Sequence, residues 1–426
     1  MTRANAVALT VVSLLLAGAC GNDDDFPVEG TSGTQVAATF PGWVPVIQAG
    51  VSAEDHTMIV DTGAPITICD RDSFPGFDKD GKHAVDMHGF GLTFPGYEVV
   101  SYDIFGGAPG GGSPDGIVGG DLLRHFAMRL DYQGGHAALY FGETAPPGDD
   151  ALVFSDGASV PIEVIGGGLA SLPGNCSPMP SCGTVSLPAT RILLSARFEG
   201  ASQAQWVLLD TGASAIATSE SFLASLAGNG SPRPRLDGVN ITTATGVQTA
   251  ALSRVWRLDI EAGEADVVLD DLPLLVLPND QLLQGISNEV GRPIVALVGG
   301  TFLREFLTTI DYPAERLVLE RYRTRTHIPA DEYVGVGFTL QGGASGTWLV
   351  NEVYPSTDAA AQGLVAGQVV EEIAGTSITG LPQATVEALF DGRAVGSTVA
   401  VGVVVAGNLV SKDVAVEDLL PDYGAP

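Results

Sequence analysis

Apolar residues along most of this chain come in short stretches that end at Gly, Pro or Asp. Between residues 36 and 139 their spacing is nearer to two than to the 3.6 of a helix, and residues 191–269 show the same pattern. Alternation of this kind is typical of strands that bury one face. The pattern therefore predicts a mainly β protein.

Two of these apolar runs end in the same four residues. Met-Ile-Val at 58–60 leads into Asp-Thr-Gly-Ala at 61–64, and Val-Leu-Leu at 207–209 leads into the same sequence at 210–213. An apolar strand would keep each carboxylate away from water, and the Gly would let backbone N–H groups approach it. One copy alone would indicate no more than an ordinary strand-to-turn connection.

A second pair of segments repeats at a constant offset. Residues 117–126 are echoed 180 residues later by residues 297–306, whereas the two Asp-Thr-Gly copies lie 149 residues apart. The second unit is longer by the difference, 31 residues, most of them between 219 and 285. This predicts an internal duplication. If the copies face one another, Asp61 and Asp210 would share one proton and activate a water molecule.

With these motifs the chain resembles the pepsin- and retropepsin-type aspartic peptidases, in the bacterial form with the Asp-Thr-Gly-Ala signature, over residues 40–322. The resemblance implies a bilobed acid-protease-type β-barrel fold with Asp61 and Asp210 as the catalytic dyad. It also implies that segments 117–119 and 297–299 thread beside the two Asp residues. The residues expected to support the dyad are Thr62, Gly63, Thr211 and Gly212.

The family further implies a β-hairpin flap that closes over the substrate. The candidates in the first lobe are Gly89, Phe90 and Gly91, and segment 243–247 is the nearest counterpart in the second lobe. Peptides or proteins are the implied substrates, with no cofactor. Because both halves lie in one chain, no homodimer is needed to complete the site, and a monomer is expected.

The start of the chain is built like a signal peptide. Residues 1–20 contain one basic residue, Arg3, and an apolar run too short for a stable membrane span. The end of the run resembles a bacterial lipobox, which implies a lipid anchor on Cys20 and a place at the cell envelope; plain secretion is the alternative. Residues 21–35, rich in Gly, Asp and Ser, are expected to be a flexible tether.

The other cysteines indicate an oxidising compartment rather than a metal site. Cys176 and Cys182 lie in the Pro- and Gly-rich connection at 143–185 and could form a disulfide, which leaves Cys69 as a buried free thiol. The six His residues are scattered, and neither His-Glu-x-x-His nor Cys-x-x-Cys occurs. No metal site is therefore predicted.

The C-terminal part differs from the two repeats. Residues 332–418 resemble a PDZ domain, whose loop for a peptide carboxylate would be formed by Gly335, Val336, Gly337 and Phe338. The resemblance implies that protein C-termini bind there by adding a strand to a sheet, either to recruit substrates or to gate the cleft. A generic small α+β domain is the alternative.

Composition limits the remaining choices. The chain has 426 residues, 45% of them hydrophobic, which is enough for two or three cores. Its formal net charge of −30 argues against nucleic-acid binding, because phosphate contacts need a basic surface. The expected units are the signal peptide (1–20), the tether (21–35), lobe 1 (36–142), the linker (143–185), lobe 2 (186–322) and the PDZ domain (332–418).

Two functional hypotheses result. The first is an envelope-exposed aspartic endopeptidase, and the second is a non-catalytic peptide-binding scaffold of the cell envelope. Both Asp-Thr-Gly-Ala copies are intact, which favours the first hypothesis because a scaffold would be free to lose either Asp.

Overall fold

The computed structural model describes residues 27–51, 54–74, 77, 81–102, 114–154, 157–171, 184–243, 246–263, 266–324, 332–343 and 346–426, and two-residue strands at Val7–Ala8 and Leu16–Ala17. Cys20, Cys176 and Cys182 lie outside these residues, so the lipid anchor and the disulfide stay predictions. Cys69 is described and is a buried free thiol.

Strands make up 50% of the structure and helices 12%, and the strands close into two six-stranded barrels. The predicted mainly β class is thereby confirmed. The alternation read from the sequence is visible in single strands: in Gly81–Gly89, Val85 and Met87 are buried while Asp86 and His88 are exposed.

Lobe 1 and the strand before it are built from short strands and one helical turn. Their elements are β1 (Glu29–Gly30), β2 (Val36–Thr39), β3 (Val46–Val51), β4 (Glu54–Val60), β5 (Ile68–Asp70), β6 (Gly81–Gly89), β7 (Leu92–Tyr102), β8 (Gly116–Val118), α1 (Gly120–Leu123), β9 (Ala127–Asp131) and β10 (His136–Tyr140). Met58, Ile59 and Val60 at the end of β4 are all buried, because β4 pairs with β3 on one side and β8 on the other.

Two strands of the linker lead into lobe 2. These strands and the elements of lobe 2 are β11 (Ala158–Pro161), β12 (Glu163–Ser171), β13 (Thr184–Phe198), β14 (Gln205–Leu209), β15 (Ile216–Ser219), α2 (Glu220–Ser225), β16 (Arg235–Thr243), β17 (Gly246–Ile260), β18 (Val267–Leu277), α3 (Gln281–Val290), β19 (Ile294–Val298), α4 (Gly300–Leu303), β20 (Phe306–Asp311) and β21 (Arg316–Arg321). The additional length of lobe 2 includes α2, β16 and α3.

Six consecutive antiparallel strands of a 13-stranded sheet join the two lobes, in the order β11, β21, β20, β9, β10, β2. At their centre β9 pairs with β20, and Arg129 lies opposite Thr309, its own equivalent in the 180-residue repeat. The flanking pairs are reciprocal, since Ala127 faces Asp311 and Asp131 faces Leu307. The duplication is therefore expressed as a local two-fold arrangement.

The C-terminal unit has its own hydrophobic core and combines strands with two short helices. Its elements are β22 (Val334–Gly335), β23 (Phe338–Gly342), β24 (Trp348–Val353), α5 (Asp358–Ala361), β25 (Val369–Ile373), β26 (Thr376–Ser377), α6 (Gln383–Ala388), β27 (Thr398–Val405), β28 (Asn408–Ala415) and β29 (Glu417–Asp418). In the sheet ordered β23, β24, β25, β27, β28, strand β23 lies at an edge.

The C-terminal unit packs against lobe 2. Arg254 is buried and donates through Nε to the carbonyl oxygen of Leu420 (3.0 Å). The backbone N–H of Tyr423 donates to Asp271 (2.8 Å). Gly238 of β16 lies so close to Pro355 that an added Cβ would be 2.9 Å from the Pro355 Cδ. Strand β16 and the C-terminal unit are therefore in direct contact.

Candidate functional site

The two Asp-Thr-Gly copies lie at the carboxyl ends of equivalent strands. Strand β4 delivers Asp61 and runs parallel to β8, and the backbone N–H of Asp61 donates to the Val118 carbonyl oxygen (3.0 Å). Strand β14 delivers Asp210 and runs parallel to β19, where Asp210 makes the same 3.0 Å bond to Val298. The expected threading of segments 117–119 and 297–299 is thus found in both lobes.

Two threonines tie the copies together by reciprocal hydrogen bonds. The backbone N–H of Thr62 donates to Thr211 Oγ1 (3.0 Å), and the backbone N–H of Thr211 donates to Thr62 Oγ1 (3.1 Å). Each hydroxyl in turn donates across the lobes, from Thr62 to the Leu209 carbonyl (2.8 Å) and from Thr211 to the Val60 carbonyl (2.7 Å). All four bonds are buried, so the two turns are held as one unit.

The glycines of the motifs bring each turn against the carboxyl group of the other lobe. A Cβ added to Gly63 would lie under 3.0 Å from the Asp210 carboxyl, and one added to Gly212 would lie under 3.0 Å from that of Asp61. Any side chain at either position would displace the opposite Asp. The structure therefore brings all six predicted residues of the dyad and its support into one cluster.

The two carboxyl groups are completely buried but are held by unequal sets of donors. Asp61 Oδ1 accepts from the backbone N–H groups of Gly63 (2.7 Å), Ala64 (3.1 Å) and Gly212 (3.3 Å). Asp210 Oδ1 accepts from Ala213 (2.9 Å). Neither Oδ2 has a hydrogen-bond donor among the described residues. Because backbone donors stabilise an ionised carboxylate, Asp61 is the better site for a negative charge.

Burial raises the pKa of both carboxyl groups above the ordinary value for Asp. The pKa of Asp210 is raised further by the adjacent charge of Asp61, whereas backbone donors oppose the rise at Asp61. Two carboxyl groups in such contact hold one proton between them over a wide pH range, with Asp210 as its favoured site. The pair thus offers an acid and a base side by side.

Two further buried groups near the dyad had no signal in the sequence. Arg191 of β13 donates through Nη1 to the carbonyl oxygen of Gly63 and pairs with Glu289 of α3. Asp121 of α1 accepts from the Thr67 hydroxyl (2.7 Å). Asp121 lies within the repeated segment 117–126, but the residue itself is not repeated, since its equivalent in lobe 2 is Thr301.

The lobe 1 flap candidates lie at a turn whose central residue is buried. Gly89, Phe90 and Gly91 form the turn of the β6–β7 hairpin, but Phe90 is only 1% exposed and Gly91 packs against Thr34. Strand β7 passes the site at Tyr97, which adjoins Thr67. The assignment of these three residues to a flap stays a prediction.

Segment 243–247 of lobe 2 lies where the β16 and β17 strands meet. Thr243 pairs with Gly246, while residues 244–245 lie outside the described residues. Val247 is 70% exposed. Ala251 of β17 pairs with Val276, near the end of β18. The part of the β16–β17 hairpin between Ala251 and its turn therefore extends past β18.

Residues 335–338 of the C-terminal unit lie between β22 and edge strand β23. Gly337 has a φ of 71° and its backbone oxygen accepts from the Tyr354 N–H (2.9 Å). Phe338 packs edge-on against Phe390, close after α6. A cavity of about 290 Å³ adjoins the loop, lined by residues that include Val334, Gly335, Val336, Phe390, Arg393 and Val416. An open sheet edge and a cavity thus meet at this loop.

Among the described residues no group of three or more His, Cys, Asp or Glu side chains could hold a metal ion. In the same part of the chain, no helix is long and apolar enough to cross a membrane. A scan against protein-family models found no match, and a search of curated proteins found none either. The site is therefore interpreted from its own geometry.

Proposed function

We propose that this protein is an aspartic-type endopeptidase of the pepsin/retropepsin kind. One observation carries the proposal: two buried carboxyl groups from duplicated Asp-Thr-Gly turns lie in contact and are locked together by reciprocal Thr62–Thr211 hydrogen bonds. Burying two carboxyl groups against one another is costly unless they share a proton, so a purely structural role for the pair is a poor explanation.

In the proposed mechanism the dyad activates a water molecule. Ionised Asp61 accepts a proton from the water as its oxygen attacks the carbonyl carbon of the scissile peptide bond. Protonated Asp210 donates its proton to the carbonyl oxygen, giving a neutral tetrahedral diol. Asp61 then gives its proton to the amide nitrogen while ionised Asp210 accepts one from a diol hydroxyl, and the C–N bond breaks to leave a carboxylic acid and an amine. General acid–base assistance of this kind contributes roughly 10² to 10⁴ in rate.

The surrounding bonds serve this step by fixing the carboxyl groups in place. The Oδ1 atoms are occupied by backbone donors, which leaves both Oδ2 atoms for water and substrate. Thr62 and Thr211 act on the relative position of the two turns and do not react themselves. Such preorganisation avoids reorganisation cost during the reaction.

The C-terminal unit is proposed to be a PDZ domain that binds protein C-termini. The edge position of β23 and the cavity beside residues 335–338 support strand addition by a peptide. Recruitment of substrates and gating of the cleft are both compatible with this role. The protein is further proposed to act as a monomer at the bacterial cell envelope, held by lipid on Cys20 or secreted.

Cleavage of a diverse peptide library between pH 3 and 8 tests the proposal. The protein from residue 21 onward should cleave peptides, whereas the Asp61→Asn and Asp210→Asn forms should lose at least about 10³ in kcat/KM without unfolding. Thermal unfolding of each variant provides the control for folding. Cleavage that persists in either purified variant would reject the dyad, whereas absence of cleavage by the unsubstituted protein at every pH would favour the scaffold hypothesis.

A further inference from the structure

A buried cation from lobe 2 reaches into the Asp-Thr-Gly turn of lobe 1. Arg191 of β13 is 1% exposed, and its Nη1 donates to the carbonyl oxygen of Gly63. Gly63 also donates its N–H to Asp61 and lies against the Asp210 carboxyl. The guanidinium group therefore binds the residue that touches both members of the dyad.

The other edge of the same guanidinium group is fixed by a carboxylate. Arg191 Nε and Nη2 donate to Glu289 Oε1 (2.7 Å) and Oε2 (2.9 Å), a two-point pairing that sets the plane of the group. The Glu289 side chain, at the end of α3, is 6% exposed. Glu289 partly neutralises Arg191 and aims it at the turn.

This arrangement has no counterpart on the other side of the dyad. Thr190 closes over Gly120 of lobe 1, and Trp43 closes over Gly300 of lobe 2 in the equivalent way. The residue after Thr190 is Arg191, whereas the residue after Trp43 is Val44, which is apolar and buried. The two-fold arrangement of the dyad is thus broken by one charged pair.

We propose that Arg191, oriented by Glu289, is a positioning residue that sets the pH range in which the dyad holds a single proton; this inference rests on the proposed peptidase function. Opposite charge stabilises an ionised carboxylate, so the guanidinium group favours loss of the first proton from the pair. It also fixes the Gly63–Ala64 peptide group, whose N–H, that of Ala64, donates to Asp61 Oδ1 (3.1 Å).

The charges around the pair agree with this role. Arg191 lowers the pKa of both Asp61 and Asp210, against the larger opposing effect of burial. Of the other titratable groups near the dyad in the described structure, Tyr312 has a pKa well above its ordinary value and is neutral at working pH. The charge of Asp121 also raises the pKa of Tyr312. Glu289 is the anion in direct contact with Arg191. Removing its charge should therefore lower the pKa values of the dyad, whereas removing Arg191 should raise them.

The test compares Arg191→Gln, Arg191→Lys, Glu289→Gln and the double variant Arg191→Gln/Glu289→Gln. Both limbs of the pH profile of kcat/KM should move up by about 1 to 2 pH units in Arg191→Gln and should move by less in Arg191→Lys. Glu289→Gln should shift the profile downward, because the cation is no longer neutralised. The double variant leaves no unpaired buried charge and should still shift upward.

A second readout does not depend on cleavage. The ¹³C carboxyl signals of Asp61 and Asp210 can be assigned with the Asp→Asn variants in Asp-labelled protein. In each variant the pKa values read from these signals should move in the same direction as the pH profile of kcat/KM. If these shifts occur in a protein that cleaves nothing, the peptidase proposal fails while the electrostatic role stands. If cleavage is present and all variants share the profile of the unsubstituted protein, the role of Arg191 is refuted. Should Arg191→Gln not fold, Glu289→Gln and Arg191→Lys decide by the same criteria.

Discussion

The closeness of the two carboxyl groups depends on the smallest side chains in the site. Gly63 and Gly212 each lie where an added Cβ would meet the Asp of the other lobe. The same two residues supply N–H groups to Asp61. A glycine is needed here for the space it leaves, since neither has the positive φ that glycine alone adopts readily.

Substitution of Gly63 should therefore damage the dyad more than the fold. In Gly63→Ala the new methyl group displaces the Asp210 carboxyl, and overpacking of this kind costs about 1–3 kcal/mol of stability. We expect a loss of at least about 10² in kcat/KM, because small displacements of catalytic groups have such effects. Gly166→Ala is the matched control, since nothing lies within 4 Å of a Cβ at that position. Equal activities of the two variants would contradict the packing argument.

At the scale of elements, a buried side-chain network ties the first helical turn to two strands. Asp121 of α1 accepts from Thr67 Oγ1 (2.7 Å), which accepts from the Gly119 N–H (3.1 Å). Tyr97 of β7 also hydrogen-bonds to Asp121. Gly119 follows Val118, the residue that accepts from the Asp61 N–H. The network thus supports the segment on which Asp61 rests.

Asp121 should make lobe 1 less stable as pH rises. Burial raises its pKa to about 6 from an ordinary 3.8, so between pH 4 and 6 the folded protein keeps a proton that the unfolded chain has lost. The contribution of Asp121 to stability is then largest below pH 4 and falls by about 3 kcal/mol through this window. Asp121→Asn keeps an acceptor and should abolish that fall.

The measurement is the difference in free energy of unfolding between Asp121→Asn and the unsubstituted protein at several pH values. The difference should grow in favour of the variant from pH 4 to 6 and then level off. Subtraction removes the contribution of other carboxylates. A difference that stays constant with pH would show that Asp121 is already ionised in the folded state at pH 4.

The elements also show how far sequence reasoning reaches. Apolar runs of alternating pattern were sufficient to predict the mainly β class, whereas the strands that meet at the site were expected only from the resemblance that the repeated motifs carry. Arg191 could not be predicted, because its contact with Gly63 spans 128 residues and carries no local pattern. The flap assignment in lobe 1 stays a prediction, because a Gly-Phe-Gly turn has the same sequence whether its Phe faces a cleft or a core.

At the scale of the whole molecule, the C-terminal unit adjoins the β16–β17 hairpin of lobe 2. Gly238 of β16 has a φ of 82° and lies against Pro355, which follows β24. Glu352 of β24 hydrogen-bonds to Asn240 of β16. Movement of the C-terminal unit would therefore displace β16 directly, and through β16 it would displace β17.

Gly238→Ala should weaken this contact beyond the cost of backbone strain. A non-Gly residue in the left-handed region costs about 1–2 kcal/mol, and the methyl group would also meet the Pro355 ring. Gly407→Ala is the control, because Gly407 has a similar φ of 80° with nothing within 4 Å. We expect Gly238→Ala to lose about 1 kcal/mol more in unfolding free energy. Faster amide exchange should appear at both β16 and β24; similar losses in both variants would show that the contact contributes little.

The pairing of Arg129 with Thr309 has a consequence for the history of the chain. Because β9 meets its own repeat in the β20 strand with reciprocal partners, a polypeptide carrying a single lobe would expose an edge that is complementary to itself. Such a half-length ancestor would have assembled as a symmetric pair, with one Asp-Thr-Gly turn from each copy. Fusion of the two copies freed them to diverge, and residues such as Arg191 and Asp121, each present on one side only, are changes that a symmetric pair could not have made singly.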